Sequence, residues 1–397
     1  MSPRECMGFS DFQFVPNPRR NRDGRRFPGH REVLCYLKDF THAFRLADAI
    51  RLNTKVLRVV PINSGGKWLV KSVRVVEPDR EEQEEVFDAV VVASGHYSQP
   101  SLPSIKGMEQ WRRRQLHSHS YRVPDPFRGD VVVVVGCGES GLDIALELCS
   151  GGVAREMLAN HPELQLHPQV DPGVVFADGR HVVADTVIYC TGYTYSFPFL
   201  NTGGGLQLTV EDNRVGPLYE HTFPPALAPS LSFVGVPMRI FAPWFFEAQA
   251  RWVAQVLAGK KTLPPEQDMM RAVQEDYRAR ELAGVPTKHA HVVGAVQRME
   301  ILEFVYRNSD MPRMDDWKME LFVSVVRNTM DDRETFRDRD DDVSDTIKEG
   351  RRTWLCVSAA QYEAALAAAA TEPAGADDAT THMHAQDVAG STSNRQP

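Results

Sequence analysis

The run Val131-Val-Val-Val-Val135 passes directly into Gly136-Cys137-Gly138-Glu139-Ser140-Gly141, and few folds tolerate that join. Five valines without polar alternation describe a strand covered on both faces, as in parallel sheets flanked by helices. Leu142, Ala145, Leu146 and Cys149 then return at helical spacing as the inward stripe of a following helix. The glycines have separate tasks: the first permits a tight turn, the second lets backbone approach phosphate, and the third lets helix and strand pack closely. Strand, glycine turn and helix start in this order make a cradle for the pyrophosphate of a dinucleotide, whose charge the helix N-terminus favours. The plainer alternative is a glycine turn in an α/β domain that holds no nucleotide, and the flanking elements favour the cradle.

A second pattern sets the architecture. Asp88-Ala-Val-Val-Val-Ala-Ser-Gly95 and Asp185-Thr-Val-Ile-Tyr-Cys-Thr-Gly192 share an acid, an apolar run, a hydroxyl and a glycine, as suits a buried strand leaving a dinucleotide-binding domain. The second lies downstream of the glycine fingerprint, and no fingerprint lies upstream of the first. The expected fold is therefore α/β, with two dinucleotide-binding (Rossmann-like) domains, the first lacking its N-terminal βα unit. Such a loss predicts an uncovered sheet edge and a helix face without its cover.

Other segments fill in the map. Val33, Tyr36, Leu37, Phe40, Ala43 and Phe44 repeat at helical spacing after Phe27-Pro-Gly. Ile50–Leu52, Thr54–Val60, Trp68–Val76 and Val86–Ala93 read as a short antiparallel meander returning to a parallel sheet. Between Gly151 and Asp171 one strand, Glu156–Ala159, is expected, then a second meander through Val174–Phe176 and Val182–Cys190. Leu231–Val234 reads as a buried strand. Pro243–Leu257, Glu266–Ala283, Met299–Tyr306 and Trp317–Arg327 read as helices.

Composition excludes several functions. The formal net charge is -8, and acidic residues cluster at Asp79–Glu85 and Asp338–Asp342, so there is no footprint for nucleic acid. The six cysteines show no paired spacing, which fits a reducing compartment and neither zinc nor a disulfide framework. The N-terminal residues have no apolar stretch of signal-sequence length, and the valine run is far too short to cross a bilayer. The cytoplasm is the expected location, with no stable membrane insertion.

The residues resemble a known family. Gly136-Cys-Gly-Glu-Ser-Gly141, Leu116-His-Ser-His-Ser-Tyr-Arg-Val-Pro-Asp-Pro-Phe127, Tyr189-Cys-Thr-Gly-Tyr193, Phe197-Pro-Phe-Leu200 and Asn213-Arg-Val-Gly-Pro-Leu-Tyr219 look like the flavin-containing monooxygenases, and more narrowly their plant branch similar to glucosinolate S-oxygenases. The resemblance runs from Pro3 to about Asp340. It implies the first part of an FAD-binding domain over 1–121, an NADPH-binding domain over 122–192, a return to the FAD domain with C-terminal helices over 193–345, and a tail over 346–397, disordered from about 372. It also implies FAD and NADPH as cofactors, hydride transfer between them, and reaction of the reduced flavin with O2. One oxygen atom then passes to a soft sulfur or nitrogen of a small thioether or amine, S-oxygenation being favoured. The cofactor carries the hard chemistry, so no catalytic side chain is assigned.

Departures from the family pattern carry information as well. The family's FAD fingerprint, its ribose-binding acid and an asparagine that helps hold oxygenated flavin precede the segment matched by Pro3–Phe9, so the chain reads as N-terminally truncated with impaired activity. The identifying F-x-G-x-x-x-H motif survives as Trp111, Arg113, His117 and Tyr121. The stretch Gly151–Asp171 is compressed, and Ala159-Asn160-His161, about 20 residues past the turn, lacks the carboxylate that marks NADH; this mildly favours NADPH.

The expected cofactor-binding residues are Gly136, Cys137, Gly138, Glu139, Ser140, Gly141, Thr191 and Gly192. Thr191 and Gly192 suit the crossover between domains. Two imidazoles, His117 and His119, would share a strand face, yet no third ligand accompanies them and no metal is expected. Phe241–Phe246 suits core better than a pocket rim, and Cys137 is read as structural. Two other functions stay open: a non-catalytic relative acting as an interaction or regulatory protein with a weak NADPH site, and a flavin-free reductase.

Overall fold

The computed structural model describes residues 2–17, 22–62, 66–76, 81–150, 155–159, 165–167, 173–176, 178–201, 208–293, 298–339 and 344–370. The N-terminal stretch makes little regular structure, yet Cys6, Phe12, Phe14 and Val15 are buried. They pack on helix α1 (His30–Ala43). Only part of the expected stripe of α1 is covered: Tyr36 is buried, while Leu34, Leu37 and Phe44 are exposed.

Strands β1 (Thr54–Ile62), β2 (Lys67–Arg74) and β3 (Glu82–Phe87) form an antiparallel meander. Ile50–Leu52 lies outside it, because Asn53 takes a left-handed φ of 54° and turns the chain just before β1. Strand β4 (Val90–Val92) follows, then the two-residue β5 (Gln99–Pro100).

The nucleotide lobe is built on β6 (Arg114–His117), β7 (Val131–Val135), helix α2 (Glu139–Ser150), β8 (Arg155–Ala159), β9 (Gln165–His167), β10 (Gly173–Val175), β11 (His181–Val183) and β12 (Thr186–Tyr189). A parallel sheet runs in the order β6-β12-β7-β8, and β9, β10 and β11 form an antiparallel meander. Two sequence expectations are corrected here. Gly151–Asp171 holds a second strand, β9, and Val182–Cys190 divides between the meander and the parallel sheet. A short meander strand is hard to see because its apolar content is a single buried Leu166.

The valine run behaves as its lack of alternation requires. Val132 to Val135 are each 0% exposed. Val133 and Val135 pack with Trp111, Leu166 and Val174 on one face, and Val132 and Val134 with Ile144, Leu148 and Phe127 on the other. The inward stripe of α2 is Gly141, Ile144, Ala145 and Leu148, whereas Cys149 is exposed. The helix begins at Glu139, and its period places 141, 144, 145 and 148 against the sheet.

The chain returns through β13 (Tyr193–Thr194), which pairs antiparallel with β5. After β14 (Thr209–Glu211) and β15 (Arg214–Gly216), strand β16 (Leu231–Phe233) lies parallel to β4. Helices α3 (Ala242–Leu257), α4 (Glu266–Leu282), α5 (Arg298–Ser309), α6 (Asp316–Asp331) and α7 (Asp345–Ala370) complete the fold. Phe241–Phe246 is core, as Trp244 and Phe245 are buried against Val305 and Met311.

Helix α7 was not legible as structure, because its alanine-rich end resembles the tail that follows. It packs on α1 and α6 through Trp354, Tyr362 and Leu366. Trp354 Nε1 donates to Gln13 Oε1 at 2.8 Å. Arg351 Nε and Arg26 Nε lie 3.2 and 3.3 Å from Oε1 of the buried Glu5. The expected disorder from about 372 falls outside the described residues.

Candidate functional site

The parallel register of the nucleotide lobe sets Tyr189 opposite both Val135 and His117. All three strands thus end at one edge, where α/β sheets place their ligands. At that edge β7 enters the glycine turn. Gly136 has φ 111°, and a Cβ there would stand 2.4 Å from the Cys190 carbonyl oxygen. A Cβ on Gly141 would stand 1.8 Å from the Gly136 carbonyl oxygen. These two glycines are demanded by close packing. Gly138 differs, since nothing lies within 4 Å of where its Cβ would be. Its open backbone is the approach that a phosphate needs. The Leu142 N–H donates to the Gly138 carbonyl at 3.0 Å, so the helix begins immediately beyond.

Cys137, Gly138, Glu139 and Ser140 are exposed around this opening, and Gly141 is buried beneath it. Gly136 to Gly141 thus form one connected cradle. Thr191 and Gly192 lie at the end of β12 and serve the crossover. Thr191 Oγ1 donates to the Ser101 carbonyl at 2.5 Å, and the Ser101 N–H donates to the Gly192 carbonyl at 2.9 Å. Gly192 has φ 82° with nothing within 4 Å of its Cβ position. Burial pushes the neighbouring Cys190 thiol up to about 11, so it stays protonated at neutral pH.

The second parallel pair, β4 and β16, ends at Gly95 and Gly235, with φ of 71° and 93°. His96 Nδ1 contacts the Gly235 carbonyl oxygen at 2.8 Å. A carbonyl only accepts, so Nδ1 carries the proton. The Gly235 N–H donates to Gln249 Oε1 at 3.1 Å, and Gln249 Nε2 donates to Thr222 Oγ1 at 2.8 Å. This buried amide therefore fixes the turn after β16.

Rings join the two edges. Tyr97 lies 4.1 Å from His96 and 5.3 Å from Tyr193, and Tyr193 lies 5.1 Å from His117 and 5.9 Å from His119, measured between centroids. His117 ends β6, but His119 sits in a separate short turn, Ser118–Ser120. The two imidazoles therefore do not share a strand face. The His119 N–H donates to His117 Nδ1 at 3.1 Å, which leaves the His117 proton on Nε2. Burial holds His117 below the ordinary histidine range, with the Gly192 carbonyl opposing. Among the described residues no group of three or more His, Cys, Asp or Glu could hold a metal ion.

The remnant motif has structural duties. Trp111 is buried under the sheet. Arg113 Nη1 bridges the Ala184 carbonyl and Asp185 Oδ1, both at 2.8 Å. Tyr121 stacks on Phe127 at 5.6 Å and donates to Glu147 Oε2 at 2.9 Å.

Sequence reasoning missed the C-terminal contribution to this site. Arg333 and Arg337, in the segment after α6, ion-pair with Glu139 and Asp143 at the start of α2. The partners are 194 residues apart, and no local pattern links them.

The described residues fit a nicotinamide dinucleotide, because the opening at Gly138 admits phosphate onto helix N–H groups. For a flavin dinucleotide they offer the open glycine Gly95 at the end of β4. They include no second strand, glycine turn and helix in sequence, so no residue is assigned here to flavin phosphates.

Comparisons with known proteins agree with this geometry. The profile of the flavin-binding monooxygenase-like family matches residues 1–161 and 165–325. The chain is 48% identical over 369 residues to "Flavin-containing monooxygenase FMO GS-OX-like 9" of Arabidopsis thaliana, covering 86% of this chain and 77% of that protein. It is 46% identical over 392 residues to "Flavin-containing monooxygenase FMO GS-OX-like 8" of the same plant, covering 90% and 81%. Among solved structures, S-allyl-L-cysteine S-oxygenase from Allium sativum superposes with a TM-score of 0.77 at 36% identity, covering 92% of this chain and 83% of that one.

Proposed function

The chain belongs to the flavin-binding monooxygenase-like family, and from that premise we propose that it oxygenates a soft sulfur atom of a small thioether, with amines as the lesser alternative. The overall reaction is thioether plus O2, NADPH and a proton, giving sulfoxide, NADP+ and water. FAD, the cofactor of this family, takes up hydride from NADPH and activates O2. What supports the reading is the glycine cradle at the shared sheet edge with its open Gly138. The choice of sulfur rests on the likeness to the Allium sativum S-oxygenase.

Within the reaction, the residues of this chain bind and orient. The N–H groups at the start of α2 hold the NADPH phosphates, and the helix dipole favours that charge. Thr191 and Gly192 tie the crossover to Ser101 and keep backbone close to the nicotinamide end. The Cys190 thiol, protonated by burial, is no competing nucleophile. His96, fixed on the Gly235 carbonyl, and Tyr97 line the approach between the two sheet edges. We place the protein in the cytoplasm, as six free cysteines suit a reducing compartment. No helix among the described residues is long and apolar enough to cross a membrane.

The test is an assay of the purified chain supplied with FAD, NADPH, 18O2 and a small allyl or methyl thioether. Sulfoxide carrying one 18O atom per NADPH consumed is expected. NADPH oxidation that yields hydrogen peroxide with no labelled sulfoxide would overturn oxygen transfer.

A further inference from the structure

Segment Asp332–Arg339 follows α6 and lies across the first turns of α2. Arg333 Nη2 donates to Glu139 Oε2 at 2.6 Å and lies 3.4 Å from the Glu139 carbonyl oxygen. It also lies 3.5 Å from Asp143 Oδ1. Arg337 Nη2 holds both Asp143 carboxylate oxygens at 3.0 Å. The Arg333 side chain is 17% exposed against 66% for Glu139, so the cation is the fixed member of the pair.

The segment is itself anchored. Asp332 Oδ1 accepts from the Glu334 and Thr335 N–H groups at 2.9 and 3.2 Å, and Oδ2 accepts from the Thr335 hydroxyl at 2.6 Å. Phe336 is 2% exposed and packs edge-on against Phe27 at 5.4 Å. A cavity of about 550 Å³, lined by Glu139, Leu142, Val326, Met330 and Arg333 among others, opens along the same seam.

The position of Glu139 poses an electrostatic problem. A carboxylate in the first turn suits a free helix, but the same charge opposes a pyrophosphate arriving at Gly138. We propose that Arg333 is a positioning residue of the nucleotide site: it cancels the Glu139 charge and draws that carboxylate away from the phosphate path. The proposal rests on the reading of the glycine turn as an NADPH cradle. It adds a determinant supplied from the opposite end of the chain, with Arg337 fixing the segment through Asp143.

The test is NADPH affinity by calorimetry on the full chain, with thermal melting as a control for folding. R333A restores one uncompensated charge near the phosphates and is expected to weaken NADPH by about three- to tenfold at low salt. E139Q leaves Arg333 unpaired beside them and is expected to tighten NADPH by about threefold. The double variant R333A/E139Q is expected to return to within about twofold of the parent, a rescue that a merely structural role for Arg333 would not show. Unchanged affinity in R333A, no rescue in the double variant, or unchanged or weaker binding in E139Q would each overturn the proposal. E139Q decides the matter alone if R333A fails to fold. A parent chain that binds no NADPH would remove the cradle reading itself, and the proposal with it; a parent that binds normally beside an unaffected R333A removes only the proposal.

Discussion

Gly138 and Gly141 are three residues apart in one turn, and substitution by alanine should affect them in opposite ways. A methyl at Gly138 meets nothing within 4 Å, and the residue is not among those with positive φ. G138A should fold as well as the parent, or better by about 0.4–1 kcal/mol through the restricted unfolded chain. The same methyl occupies the space into which a phosphate must descend. Displacing the phosphate costs one charge-assisted hydrogen bond, about 1.5–3 kcal/mol, so the NADPH Kd should rise about tenfold to a hundredfold. At Gly141 the methyl would stand 1.8 Å from the Gly136 carbonyl oxygen and 3.0 Å from its carbon. That is backbone, so strand and helix must separate, at a cost of about 1–3 kcal/mol by analogy with overpacked cores. Calorimetric titration with NADPH and urea denaturation of both variants provide the assay. G138A should be stable and defective in binding, and G141A should be destabilised. Parent-like NADPH affinity in G138A, or parent-like stability in G141A, would refute the assignment of space within this turn.

Other outcomes follow from the same structure. Cys137 is exposed whereas burial pushes Cys190 up to about 11; iodoacetamide at pH 8 should label Cys137 first and spare Cys190, with NADPH protecting Cys137, as read by peptide mass spectrometry. W354A removes a buried indole and its bond to Gln13, and should cost about 3–5 kcal/mol in urea denaturation; a loss under about 1 kcal/mol would mean that α7 contributes little to the core. His221 and His291 meet through their Nδ1 atoms at 3.0 Å, with the Val215 N–H donating to His291 Nε2 at 2.9 Å. Burial holds His221 down at about 4, against the pull of Asp276 and with the push of Arg280. Because the folded value lies below the unfolded one of about 6.5, this stabilisation is complete above pH 6.5 and is lost as pH falls towards 4. H221Q should flatten the decline in stability across that window, and a slope equal to the parent's would exclude His221 as its source.

The parts of the fold legible in the sequence were those carried by local pattern. Five unbroken valines and the glycine spacing specified β7, the turn and α2, and the acid-apolar-glycine endings marked β4 and β12. The eight expected site residues sit on two loops of one sheet edge, a placement set by parallel register that no single segment encodes. Ile50–Leu52 misled because apolar content alone does not distinguish a strand from the turn that precedes it. Strand β9 escaped notice because three residues with one buried leucine carry too little signal. Arg333 and Arg337 were invisible for a different reason: an arginine in a run of acids reads as solvated charge, and only the fold reveals that its partners are on α2.

The two-residue pairing of β5 with β13 has a topological consequence. The chain departs into the nucleotide lobe along one strand of this ribbon and comes back along the other, so the point of departure and the point of return are neighbours, about 4.8 Å apart as paired strands are. A lobe whose two ends meet in this way can be lifted out and replaced by a short turn without moving the strands it joins. It can also be grafted elsewhere as a cassette. For folding, closure of the long excursion costs no separate search once β6, β7 and β12 have assembled, because their assembly already brings Pro100 and Tyr193 together. For motion, the ribbon is a narrow pedestal, and rotation of the cassette about it needs few bonds to rearrange: the β5–β13 pair, the Thr191–Ser101 contact, and the two arginines on α2.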